Sequence, residues 1–264
     1  MPVADGGEGT LDVLHGLLGG ERRDGWLLLP DGVAAVESAA VIGFGFEPDL
    51  MRASSRALGE LIREVLEADP RELLVFLGGT GTVDGGAGLL EVLDELPVPA
   101  RAACDVRSPL LDAVWVFSEQ KGAAPEQLPE LERRLLEDVR LEPYRDVPGA
   151  GAAGGLGAAL ASLGAALVEG APLVLELIGF RGRLPGVELV ITGEGTVDRS
   201  TWLGKAPSAV LEAAHPRRCV LFGGRVLERR ADVEVYELSG NPARARDDLV
   251  ELGAIAAAPT GRTA

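Results

Sequence analysis

Apolar and polar positions along the chain alternate between two periods. Leu58, Leu61, Ile62, Val65 and Leu66 recur at helical spacing, and the pattern stops at Asp69-Pro70. Leu11, Val13, Leu14, Leu17 and Leu18 form a shorter helical set. A helix is also predicted over 125–139, with Pro125 near its start and Leu128, Leu131, Leu135 and Val139 on one face. Another is predicted over Ser208–Ala214. Short apolar runs between them read as strands: Trp26–Leu29 within a strand-and-turn region at 25–45, Leu73–Leu77, Cys219–Phe222 and Val233–Leu238. Ala102–Cys104 reads as a strand end with Asp105 at its tip.

The stretch 186–207, GVELVITGEGTVDRSTWLGKAP, combines these signals. Val187, Leu189, Val190 and Ile191 predict a strand buried on both faces. Gly193-Glu194-Gly195 is expected to break it into a turn, followed by a helix start. Such a turn would hold Asp198 and Lys205 at the carboxyl end of a sheet, where open α/β folds bind ligands.

Glycine is frequent, at 36 residues, and clustered rather than periodic. Asp5-Gly6-Gly7-Glu8-Gly9-Thr10 precedes the first helical pattern, so its backbone N–H groups offer either a seat for an anion or a plain helix cap. Gly78 to Gly88, GGTGTVDGGAG, follows the Leu73–Leu77 strand. It lacks the Lys-Ser/Thr of a P-loop and the spacing of a dinucleotide fingerprint. Its N–H groups, Thr80, Thr82 and Asp84 suit phosphate or a polyhydroxy acid. The third cluster, Gly149–Gly157, reads foremost as close helix packing.

Composition narrows the function. A net charge of −16 opposes a broad nucleic-acid or anionic-membrane surface. Two histidines exclude a His-rich metal site, and two cysteines, Cys104 and Cys219, read as free thiols of a reducing cytoplasm. No apolar run reaches the ~20 residues of a membrane span, and MPVADGGEGT has no signal-peptide pattern.

Four stretches in this order resemble the bacterial glycerate kinases of the glyoxylate and glucarate pathways: ADGGEGT at 4–10, LGGTGTVDGGAG at 77–88, CDV–SPLL–QKGA between 104 and 123, and GAGAAGGLGAAL with ITGEGTVDRSTWLGKAP. The resemblance implies an enzyme that phosphorylates D-glycerate with ATP and Mg²⁺, with 2-phosphoglycerate the favoured product. It implies two α/β domains with the active site in a cleft between them. Residues 1–185 would form an inserted, glycine-loop-rich α/β domain. Residues 186–264 would form the C-terminal part of a flavodoxin-like domain whose N-terminal part is missing.

Carried over by position, the resemblance makes Asp198, Lys205 and Asp84 the catalytic candidates, with Asp84 or Asp198 able to hold the metal. Asp5, Gly6, Gly7, Glu8, Gly78, Gly79, Thr80, Thr82, Asp105, Lys121, Gly193, Glu194 and Gly195 become candidates for substrate or phosphate contacts. Three departures stand out. A DSFKGS-like segment before ADGGEGT is absent, Val83 stands where Asn is common, and the segment around Leu111–Val116 is short. Two further readings stay open: a homologue that binds a hydroxy acid or nucleotide without turnover, and a kinase for another small hydroxy acid.

Overall fold

A computed structural model describes residues 1–47 and 49–257. The expectation of a loose tail over 258–264 concerns residues outside that range. The chain divides into two compact units, Met1–Ile178 and Gly179–Ala264.

The first unit is built on one sheet of strands β1 (Glu21–Arg23), β2 (Trp26–Leu28), β3 (Val33–Glu37), β4 (Glu72–Phe76), β5 (Ala100–Cys104) and β6 (Ala166–Glu169), in that spatial order. β1 to β3 pair antiparallel, and β3 to β6 run parallel. The parallel strands carry the fully buried runs that burial on both faces requires, such as Val33 to Val36 and Leu73 to Phe76. Register aligns their carboxyl ends in one row, through the pairs Glu37↔Phe76, Phe76↔Ala103 and Cys104↔Glu169. The helices are α1 (Thr10–Leu18), α2 (Ala39–Ile42), α3 (Arg56–Leu66), α4 (Ala87–Leu90), α5 (Asp112–Trp115), α6 (Leu128–Glu137), α7 (Ala152–Ser162) and α8 (Gly170–Leu177). The helical spacing of Leu58, Leu61, Ile62 and Val65 places all four in the buried core with Leu73, Val75 and Leu77.

Some expectations fail locally. Ala39–Ile42 closes the 25–45 region as a helical turn. The 125–139 helix opens as a 3₁₀ turn and ends at Glu137, leaving Val139 76% exposed. β6 sits within an alanine-rich run that carries no strand signal. In α7, Ala153, Gly154 and Gly155 adopt left-handed backbone conformations, so the third glycine cluster turns before its helix, while the close packing expected of it holds: a Cβ on Gly151 would lie 2.3 Å from the Pro109 carbonyl oxygen.

The second unit holds a parallel sheet of β7 (Leu189–Val197), β8 (Arg218–Val226) and β9 (Glu234–Glu237). α9 (Ala206–Ala214) packs against β7 and β8, while α10 (Ala245–Ala257) contributes Leu252 and Ala256 to a core with Val220. β7 and β8 both run straight through their glycines, so neither Gly193-Glu194-Gly195 nor Gly223-Gly224 ends a strand. The reason is mutual: Gly193 pairs with Phe222, and a Cβ on Gly193 would lie 2.4 Å from the Phe222 carbonyl oxygen. Nor is β7 buried on both faces, since Ile191 is 40% exposed. Among the described residues no helix is long and apolar enough to cross a membrane.

Packing at the glycine loops yields a paired test. Gly86 has φ +77°, and an added Cβ would meet the Ala159 Cβ at 2.2 Å. Gly86→Ala is expected to cost roughly 2 kcal/mol or more through strain and overpacking. Gly16 lies exposed inside α1 with open space around it, so Gly16→Ala is expected to add about 0.5–1 kcal/mol. Urea denaturation of both variants measures this, and equal effects would refute the packing account.

Candidate active site

In the first unit the polar candidates gather at the aligned carboxyl ends of the parallel strands. The loop after β4 is the centre. At its start Gly78 lies so close to the N-terminal loop that a Cβ would approach the Gly7 Cα to 2.6 Å, and its N–H donates to the Gly6 carbonyl at 3.2 Å. At its far end Gly85 N–H donates to the Gly154 carbonyl at 3.0 Å, and a Cβ on Gly154 would lie 2.0 Å from the Thr82 carbonyl oxygen. Three glycine clusters thus meet backbone to backbone, where side chains would keep them apart.

Asp84 fixes the loop. Its Oδ2 accepts from the Ser55 N–H and hydroxyl, each at 2.8 Å, and from Gly88 N–H at 3.2 Å. Its Oδ1 accepts from Gly86 N–H at 3.0 Å. Ser55, which sequence reading missed, also accepts from Leu89 N–H and so ties the starts of α3 and α4 together. Val83 is buried in the core, so its replacement of a hydrogen-bonding residue is absorbed by packing.

The N-terminal loop is not an open anion seat. The anion at the start of α1 is the chain's own Glu37, which accepts from the Gly9 and Leu11 N–H groups. Glu37 is 5% exposed, and burial pushes its carboxyl up against the pull of those two donors. A lone acid closing the apolar run Val33–Val36 was the available signal. Asp5 accepts from Gly7 N–H at 3.2 Å, while Glu8 is exposed.

Lys121 is the cation of this cluster. It follows α5 in a short 3₁₀ turn, Glu119–Lys121. Its Nζ donates to the Thr82 carbonyl at 2.9 Å and to Thr80 Oγ1 at 3.3 Å. Thr80 and Thr82 are both buried, and Thr82 Oγ1 has no hydrogen-bond partner. Burial lowers the Lys121 pKa to about 8, with Asp105 and Asp84 acting in the opposite direction. Asp105, at the tip of β5, is exposed, with protein packed around its carboxyl. Lost hydration pushes its carboxyl up, Lys121 pulls it down and Asp5 pushes it further up. Asp5, Asp84, Asp105 and Lys121 therefore share one electrostatic neighbourhood. Beside Asp105 is a cavity of about 110 Å³ lined by residues that include Cys104, Arg107, Gly149 and Glu169. Burial carries the Cys104 thiol up to about 12, so it stays protonated at neutral pH.

The second unit brings together Glu194, Asp198 and Lys205. β7 ends at Val197, and Asp198 caps the 3₁₀ turn Arg199–Trp202 by accepting from Ser200 N–H at 2.7 Å and its hydroxyl at 2.5 Å. Those bonds, reinforced by Lys205, hold its carboxyl below the usual range. Lys205 stands at the start of α9 and pairs with Glu194 Oε2 at 3.5 Å. Glu194 Oε1 is buried without a hydrogen-bond partner. Gly193 and Gly195 lie in β7 rather than in a ligand-facing turn.

Comparison with known proteins agrees with the motifs. The model of the glycerate kinase family matches residues 1–98 and 95–242. The chain is 32% identical to glycerate 2-kinase of Escherichia coli (strain K12) and 34% identical to glycerate kinase of Bacillus subtilis (strain 168). Each match spans 81% of this chain and 72% of the relative. A crystal structure from Salmonella typhimurium LT2, assigned as glycerate kinase 2, superimposes with a TM-score of 0.75 at 29% identity, covering 90% of this chain and 80% of that one.

The Lys121 environment gives a pH prediction. The native ammonium loses its proton near 8 and an unfolded lysine near 10.5, so the unfolded state holds more protons between those values and native stability rises with pH across that window. The stability of wild type relative to Lys121→Met is expected to climb from pH 8 to 10.5 in urea titrations. A flat difference would contradict the burial of the charge.

Proposed function

Because the chain belongs to the glycerate kinase family, we propose that it is a cytoplasmic enzyme transferring the γ-phosphoryl group of ATP to a hydroxyl of D-glycerate, with 2-phosphoglycerate the favoured product. The observation that carries this reading is Lys121. It is a partly desolvated cation hydrogen-bonded to Thr80 and the Thr82 carbonyl in a glycine loop at the carboxyl ends of parallel strands.

Phosphoryl transfer demands charge neutralisation and in-line placement more than covalent help from the protein. Lys121 and the loop N–H groups supply positive potential, which counts for more where water is scarce. Lys205 is the corresponding cation of the second unit, suited to a phosphate or carboxylate oxygen. Asp84 is read as the anchor of the loop, because its two oxygens already serve four donors. Asp198 is kept ionised by Ser200. That makes it a weak base, and it suits a cation better.

Mg²⁺ takes hard oxygen ligands and commonly binds through one or two carboxylates plus substrate phosphates. The Asp198 carboxylate and the orphaned Glu194 Oε1 fit that demand. When bound, the ion neutralises phosphate charge. Asp105, with its carboxyl pushed up, is the better proton acceptor. In the proposed step the substrate hydroxyl oxygen bonds to the γ-phosphorus and its proton passes to Asp105. The bond from that phosphorus to the bridging oxygen breaks, releasing ADP.

Coupled ADP release with millimolar D-glycerate and Mg²⁺-ATP is expected to show turnover. Lys121→Met is expected to lower kcat/KM about 100-fold or more, by analogy with the loss of one preorganised donor. Silence from the wild type, combined with a thermal shift induced by ATP, would replace this reading with ligand binding without turnover.

A further inference from the structure

Phe44 and Phe46 are 60% and 66% exposed, two aromatic rings on one short turn. The turn closes through Phe46 N–H donating to the Gly43 carbonyl at 3.4 Å, with Gly45 between the rings at φ +88°. Isolated exposed apolar residues are ordinary, but two exposed rings two residues apart on one tight turn make a patch. This turn is fastened to the central glycine loop. Gly43 forms a β-bridge with Thr80, and Gly81 N–H donates to the Ile42 carbonyl at 2.8 Å. The approach is close enough that a Cβ on Gly81 would lie 2.8 Å from the Gly43 carbonyl oxygen and 3.4 Å from the Phe44 Cα. Thr80 is also the residue whose hydroxyl receives the Lys121 Nζ. An aromatic platform is therefore joined, through one residue pair, to the cation and N–H groups that suit a phosphate chain.

We propose that the purine base of the nucleotide stacks on Phe44 and Phe46, with its phosphates directed toward Thr80 and Lys121. This rests on the reading of the chain as an ATP-dependent kinase. Purines present a flat π-face that aromatic side chains bind with little dependence on base identity. The subsite therefore accepts guanine nearly as well as adenine, and donor preference between ATP and GTP is weak.

Calorimetric titration with Mg²⁺ and the non-hydrolysable analogue AMP-PNP, and separately with inorganic tripolyphosphate, tests this on wild type, Phe44→Ala/Phe46→Ala and Phe44→Tyr/Phe46→Tyr. The alanine pair is expected to weaken AMP-PNP at least tenfold and tripolyphosphate less than twofold, and the tyrosine pair to restore AMP-PNP to within threefold. Both rings are exposed, so thermal unfolding of the variants is expected to match wild type. Equal AMP-PNP affinity in the alanine pair would overturn the subsite. So would equal weakening of tripolyphosphate, which would assign the turn a role in loop shape alone. A change of oligomeric state in the alanine pair with AMP-PNP affinity intact would overturn it in favour of contact with a second copy. Glycerate turnover whose AMP-PNP affinity ignores these rings overturns the subsite and leaves the kinase reading standing. Ring-dependent AMP-PNP binding without glycerate turnover does the reverse.

Discussion

The first unit depends on backbone approaching backbone at the loop after β4. Gly78 against Gly7, and Gly154 against the Thr82 carbonyl, are separations that no side chain tolerates. They bring three segments distant in sequence to the ends of the parallel strands. Hydrophobic burial makes the sheet, and register lines up its carboxyl ends. The glycines then decide what can sit there: a close-packed backbone shell with few intervening side chains, five of its loop glycine N–H groups already bonded to Gly6, Ile42, Gly154 and Asp84.

The charges follow from that shell. In a chain of net charge −16, an anionic ligand needs local positive potential. Lys121 is a partly desolvated cation available for it, and Thr80 and Thr82 hold it in place. The acids divide by environment. Asp84 is consumed by its donors, Glu37 caps α1, Asp198 is stabilised as an anion, and Asp105 is pushed toward the neutral form. One functional group, the carboxyl, thus meets four different environments, and those surroundings decide what each can do.

Local patterns in the chain were legible and nonlocal ones were not. The period of Leu58 to Leu66 gives α3 because a helix face repeats within a few residues. The glycine loops were visible as composition, and their place at strand ends followed from the apolar runs before them. What escaped depends on partners far along the chain. Gly193 to Gly195 looks like a break until Phe222 and Gly223 are set beside it in register. Asp84 reads from the sequence as a catalytic candidate, and only the fold shows Ser55, 29 residues earlier, donating to it twice. The N-terminal loop looks like an empty anion seat until Glu37 arrives from β3. Lys121 was marked only by resemblance to a family motif, since nothing near it in sequence predicts its burial.

The central claim is that this glycine shell grips the phosphate chain. Backbone amide NMR of the whole protein, titrated with Mg²⁺-ATP, tests it most directly. The account predicts shift changes concentrated at Gly78 to Gly88 and the turn at Lys121, with Gly9, whose N–H is held by Glu37, left unmoved. Saturation of binding with the Gly78 to Gly88 and Lys121 amides unmoved would contradict it.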